Sequence, residues 1–195
     1  MNIVDRPSQV RSLSAQTADL TVVGGAGHVG IPLVLSFAAK GLSVNVNDIN
    51  QKTLAIQKSG RVPFIENGAE PLLKQALADK RLYFTSLPSE ISSHGPVIVT
   101  IGTPVDEFLN PVRNVVQVCI DALLPHMRDG QLLVLRSTLY PGTTDWIDAH
   151  LKQQGRNLKV AFCPERIVQG RGIEELSQMP QIVSGTSPEI GRAHV

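Results

Sequence analysis

Three glycines in the run Gly25-Ala26-Gly27-His28-Val29-Gly30 have the spacing of a phosphate cradle. In such a run the first glycine allows a tight turn, the second lets the backbone approach a pyrophosphate, and the third permits close packing of helix against strand. The phosphates then rest on the helix N-terminus, where free N–H groups and the helix dipole favour negative charge. Eighteen residues beyond Gly30 stands Asp48. A carboxylate there can accept hydrogen bonds from both hydroxyls of an adenosine ribose, and it repels a 2′-phosphate. The pair points to NAD in preference to NADP. Two other readings share these residues: Asp48 as no more than the acid that opens the next helix, and a methyltransferase that binds S-adenosylmethionine through similar glycines and a similar acid.

A second group of polar residues is spread over three short segments: Gly102-Thr103-Pro104, the run RSTLYPGTT from Arg136 to Thr144, and Cys163-Pro164-Glu165-Arg166. The hydroxyls of Thr103 and Thr138 suit a ligand crevice, although such hydroxyls also simply cap turns. A carboxylate such as that of Glu165, placed in a closed and partly dry crevice, has a raised pKa and can take a proton from water near neutral pH. Its plainer role would be an ion pair with Arg166 or the start of a helix. Cys119 reads as core and Cys163 lies at a strand end, and the two lack metal-ligand spacing, so no metal site and no disulfide framework is expected.

These residues need elements to hold them. The apolar, β-branched run Leu20–Val23 precedes the glycines, and an apolar helical stretch over 28–40 follows them, closed by Gly41. Residues 42–48 alternate as a second strand, and Asn50 is placed to cap a helix running to about Ser59. Further on, helical stretches are expected at 68–80, 112–127 and 143–154, and strands at Leu82–Thr85, 97–101, Leu132–Leu135 and 160–162. Strand and helix keep alternating. That pattern predicts an α/β fold, a doubly wound Rossmann-type parallel sheet in a single domain, with ligands beyond the carboxyl ends of the strands.

Composition narrows the class further. With 42% hydrophobic and 18% charged residues over 195 positions, one domain with a real core is expected. Eighteen Lys and Arg against seventeen Asp and Glu give a formal +1, which suggests no grip on nucleic acid or anionic membrane. The most apolar stretch, 31–39, is far short of the roughly 20 residues a membrane span requires. The N-terminus lacks the apolar region of a secretory signal, so a cytoplasmic protein is expected.

The segments GAGHVGIPL, NDIN, GTPVDE, RSTLYPGTT, CPERIVQGRGIEEL and PQIVSG, in this order, resemble the UDP-glucose/GDP-mannose dehydrogenase family over roughly residues 20 to 186. Other Rossmann dehydrogenases share the first cradle but not the STxxPGTT pattern of residues 137–144 or the run Pro164-Glu165-Arg166. The resemblance is greatest to bacterial members acting on UDP-N-acetylhexosamines, the mannosamine sugar above all, with UDP-N-acetylglucosamine and UDP-glucose as alternatives. It implies oxidation of the sugar C6 alcohol to a carboxylate with two NAD, the second oxidation passing through a thioester on a cysteine. Carried over by motif, Gly25, Gly27, Gly30 and Asp48 would hold NAD, with His28 and Val29 completing the cradle and Thr103 lining the crevice. Thr138 would help position water, Glu165 would be the general base for that water, and Arg166, Ile167 and Val168 would border the UDP-sugar. Two positions depart from the pattern: Arg136 stands where many members have an acid, and Gln169 replaces an acid of the UDP-glucose subgroup.

The family's cysteine nucleophile and central helix have no counterpart in this sequence, so a fragment of a larger enzyme is expected, homo-oligomeric when full length. Residues 1–18 read as a polar leader, 19–188 as the NAD-binding domain, and 189–195 as a non-native tail, EIGRAHV, resembling a translated sequencing adapter. The competing reading of another class is a stand-alone module that binds NAD without turnover.

Overall fold

The computed structural model describes residues 15–103 and 114–187. The segments 1–14 of the expected leader, 104–107 of GTPVDE, the first two residues of the expected helix at 112–127, and the expected tail lie outside the described residues. The first unit is β1 (Leu20–Val23), α1 (Gly30–Ala39) and β2 (Val44–Asn47). Both strands are buried at every position, as strands covered on two faces must be. Asn50 caps α2 (Gln51–Lys58), its side-chain oxygen accepting the N–H groups of Lys52 and Thr53 at 3.2 Å each. Then follow α3 (Ala69–Ala78), β3 (Leu82–Thr85), β4 (Val97–Val99), α4 (Asn114–Leu123), β5 (Leu132–Leu135), α5 (Thr143–Gln153), β6 (Lys159–Phe162), α6 (Gly172–Gln178) and β7 (Ser184–Gly185).

The seven strands lie in the order β3-β2-β1-β4-β5-β6-β7. The first six are parallel and β7 is antiparallel to β6. This is the doubly wound Rossmann-type sheet, with its switch point between β1 and β4. Two apolar cores lie on its opposite faces and follow the period-2 alternation of the strands. Val22, Val44, Val46 and Ile98 meet α1 and α3 in one core, while Val23, Val97, Val99, Leu133 and Leu135 meet α4 and α5 in the other.

β2 interrupts this apolar pattern. Asn45 and Asn47 are buried on the side away from Val44 and Val46. The Asn45 amide donates to the Glu90 carbonyl at 2.6 Å, and the Asn47 amide donates to the Leu87 carbonyl at 3.0 Å. Side-chain amides thereby satisfy the carbonyls of the turn around Pro88–Glu90.

Two expectations change. The last residues of the expected leader are part of the fold: Ala15–Thr17 form a 3₁₀ turn, Ala18 is buried, and its carbonyl accepts the Ser92 hydroxyl at 2.7 Å. Helix α6 was not anticipated. It opens on Gly172, a poor helix former, which is used because a Cβ there would stand 2.7 Å from Ile167 Cδ1 and 2.8 Å from Pro32 Cγ, where α6 crosses α1.

Candidate functional site

The phosphate cradle is made by the turn between β1 and α1. The residue in left-handed conformation is Gly24, with φ 79°, and not Gly25. Gly25 is required for another reason: a Cβ there would lie 2.8 Å from the Val22 carbonyl oxygen and 2.9 Å from Val46 Cγ1. At Gly30 the virtual Cβ falls 2.3 Å from the Gly24 carbonyl oxygen, so the close helix–turn packing expected of the third glycine is present. At Gly27 the only near neighbour is the Gly24 oxygen at 3.4 Å, which leaves one side of the backbone open. Val29 supplies no side-chain cap to α1, as suits a helix start left to an anion. His28 is exposed and stacks on Phe64, with ring centroids 3.8 Å apart.

Asp48 lies just past the end of β2, half-buried, and closes the turn as well as facing the crevice. Its Oδ2 accepts the Ala26 N–H at 3.0 Å and its Oδ1 accepts the Asn50 N–H at 2.9 Å. A carboxylate offers about four acceptor positions, so each oxygen keeps one for a further donor. Beside it opens a cavity of about 500 Å³, lined by Gly24, Asp48, Ile49, Ile101, Gly102 and Val118 among others. Cys119, read from sequence as core, also lines it, and burial pushes its thiol up to about 11. At neutral pH it is a protonated, mainly apolar wall.

Glycine turn, uncapped helix start, carboxylate at the end of β2 and apolar cavity together fit a dinucleotide. The backbone is open where a pyrophosphate would approach, and acceptor positions remain where a ribose would lie.

Further along the same sheet edge, neighbouring strand ends are tied together. The Ser137 hydroxyl donates to the Ile101 carbonyl at 2.7 Å, and the Thr103 hydroxyl donates to the Thr138 carbonyl at 2.8 Å. Thr103 and Thr138 are thus adjacent. Glu165 follows on the next strand end, its N–H donating to the Arg136 carbonyl at 3.1 Å.

Glu165 has a partner that the sequence reading did not assign to it. Its carboxylate pairs with Arg136, not with Arg166, and both side chains are almost fully buried, at 7% and 6% exposure. Arg136 Nε donates to Oε2 at 3.1 Å, and its Nη1 reaches Cys163 Sγ at 3.0 Å and Gln181 Oε1 at 3.1 Å. The other carboxylate oxygen, Oε1, accepts the N–H groups of Arg166 at 2.8 Å and Ile167 at 3.1 Å. Glu165 is therefore hydrogen-bonded on both oxygens. Arg166 instead donates to the Pro180 carbonyl.

The residues after Glu165 form a strap whose amides are held by carboxylates. Val168 N–H donates to Glu175 Oε2 at 2.7 Å. Gly170 N–H donates to Glu66 Oε2 at 3.1 Å and Ile173 N–H to Glu66 Oε1 at 3.2 Å, while the Gly170 carbonyl accepts the Asn67 N–H at 3.0 Å. Arg166 and Val168 are exposed on this strap, and Ile167 is turned partly inward beside Gly172. Glu66, 8% exposed, belongs to no motif, and its role is invisible in sequence because its partners lie more than a hundred residues away.

Residues 18–194 match the family model of the UDP-glucose/GDP-mannose dehydrogenase family, NAD binding domain. The chain belongs to that family. Members similar to it include the NDP-N-acetyl-D-galactosaminuronic acid dehydrogenase of Ralstonia nicotianae, 26% identical over 94% of this chain and 45% of the relative. The UDP-N-acetyl-D-mannosamine dehydrogenase of Campylobacter jejuni is 28% identical over 83% of this chain and 42% of its own. Among solved structures, the UDP-N-acetyl-mannosamine dehydrogenase of Staphylococcus aureus superposes with a TM-score of 0.80 at 27% identity, over 89% of this chain and 43% of that one. The chain thus spans less than half the length of these relatives. As a member of the family, it carries an NAD-binding domain. No helix among the described residues is long and apolar enough to cross a membrane.

Proposed function

We propose that this chain is the NAD-binding part of a nucleotide-sugar 6-dehydrogenase, with UDP-N-acetyl-D-mannosamine as substrate, oxidising its C6 alcohol to a uronate with two NAD. The observation that carries the reading is the glycine turn locked to Asp48 at the end of β2, in a chain whose residues 18–194 match one family. Two of the similar proteins are named as mannosamine dehydrogenases, and this favours that sugar over UDP-N-acetylglucosamine or UDP-glucose. The working enzyme is a homo-oligomer acting on a soluble sugar nucleotide in the cytoplasm.

NAD, when bound, supplies the hydride acceptor. Gly25, Gly27, His28, Val29 and Gly30 would cradle its pyrophosphate at the start of α1, Gly27 through its open backbone, and Asp48 would take the ribose hydroxyls on the acceptor positions that Ala26 and Asn50 leave free. Thr103, braced on Thr138, shapes the crevice next to the reacting end. Arg166, Ile167 and Val168 border the nucleotide sugar, and Thr138 orients the water that hydrolyses the thioester on a cysteine outside this chain. Glu165 takes the proton from that water, and to do so it exchanges one of its present donors, Arg136 being the one that is a side chain.

Asp48→Asn tests the reading directly. The charge that repels a 2′-phosphate disappears and the ribose bonds weaken, so the Kd for NAD should rise about tenfold or more while preference over NADP falls. Calorimetric titration of both dinucleotides measures this. Unchanged affinity together with unchanged selectivity would remove Asp48 from the cofactor site.

A further inference from the structure

We propose that Glu66 is a positioning residue for the sugar-nucleotide side of the site: it pins the strap 166–173 and thereby presents Arg166 and Val168 to the substrate. Both oxygens of its buried carboxylate are spent on that strap, one on the Gly170 N–H at 3.1 Å and the other on the Ile173 N–H at 3.2 Å. The next residue on its own loop adds a third bond, Asn67 N–H to the Gly170 carbonyl at 3.0 Å. Three bonds thus join two segments with no neighbouring strands in common.

Among the described residues, the strap's other main-chain N–H bonds are made within its own stretch of chain. The strap carries positive-φ Gly170, φ 87°, where a side chain is strained, and its upstream end is anchored by Glu165 through the N–H groups of Arg166 and Ile167. Glu165 fixes the beginning, Glu175 catches Val168 in the middle, and Glu66 fixes the end. Glu165 and Glu175 sit in the strap's own stretch of chain, whereas Glu66 comes from the loop between α2 and α3. Among the described residues, Glu66 is thus the side chain from outside that stretch that accepts the strap's N–H groups, beside the Asn67 main chain and the packing of α6 on α1. The Glu66 loop is itself braced on the cofactor cradle, since its Phe64 stacks on His28. Ordering the strap in advance lowers the entropy lost when a ligand is bound by it.

This inference rests on the nucleotide-sugar dehydrogenase reading for its substrate, but its geometry can be tested without it. Glu66→Gln keeps the side chain's length and replaces one accepting oxygen by an NH₂ group facing a backbone N–H. In this chain, amide exchange at Gly170 and Ile173 should quicken about tenfold while β1 and β4 amides keep their protection. In the complete dehydrogenase the KM for the UDP-sugar should rise about tenfold, with kcat and the KM for NAD within about twofold. Glu66→Asp, which keeps the charge, should fall between the two. If Glu66→Gln does not fold, Glu66→Asp carries the same comparison. Unchanged exchange at Gly170 and Ile173 would overturn the pinning. Faster exchange with an unchanged sugar KM, in an enzyme that oxidises the sugar, would overturn the positioning role. An enzyme that oxidises no UDP-sugar would sink the substrate reading, and the exchange result would still decide whether Glu66 pins the strap.

Discussion

The two ends of the sheet's carboxyl edge are built from different materials. At the β1–β2 end, the candidate cofactor side is made of main chain: a turn through Gly24, the close contacts at Gly25 and Gly30, and one carboxylate, Asp48, that holds the turn and faces the crevice. At the β5–β6 end, the shape is made by buried charge, with Arg136 joining Glu165, Cys163 and Gln181, and Glu66 reaching the strap from another part of the chain. A main-chain site depends on which residues are small and is sensitive to added volume. A site built on buried ion pairs depends on partners remaining paired, since a buried charge left alone costs far more than the pair contributes.

The largest effect that would test this contrast belongs to the charged end. Arg136→Met should destabilise the chain by about 3–5 kcal/mol, because it strands the Glu165 carboxylate in the interior. Urea denaturation measures it, and adding Glu165→Leu should recover much of the loss. A double variant no more stable than the single one would mean that Arg136 matters for its volume and not its charge. Next in size is Gly30→Ala, expected to lose about 1–3 kcal/mol because the new Cβ meets main-chain atoms of Gly24 and Gly25 that cannot move aside. The smallest change in stability, within about 0.5 kcal/mol, is expected for Gly27→Ala, whose Cβ has room. Its effect should appear in binding, as a Kd for NAD raised about tenfold. If Gly27→Ala were as destabilising as Gly30→Ala, the division of labour among the glycines would be wrong.

The same contrast explains what could be read from the sequence. Strands Leu20–Val23, Leu82–Thr85 and Leu132–Leu135 appear at the expected residues, and the doubly wound class follows from the alternation of strands and helices. The cradle was legible because its parts are contiguous and its demands are steric, although the sequence did not show that the left-handed turn falls on Gly24 and not on Gly25. Glu165 was legible as a residue of interest but its partner was not: Arg136 and Arg166 are equally charged, and only the pairing of β5 with β6 brings Arg136 to it. Glu66 carried no signal at all, since nothing local distinguishes it from Glu70, which is exposed on α3. Helix α6 was missed because a glycine stands at its first residue for a packing reason that belongs to α1.

The asparagines of β2 bear on how the chain avoids assembling wrongly. Short apolar strands could slide past one another at little cost, since a valine fits a valine's place. Displacing β2 by one residue would turn Asn45 and Asn47 into the apolar layer beneath α1 and α3, each losing its carbonyl partner at a cost of about 1–3 kcal/mol. The two amides act as an error check on alignment, accepting one register and rejecting its neighbours, at a place where the carboxyl end of the strand must deliver Asp48 to within a hydrogen bond of Ala26.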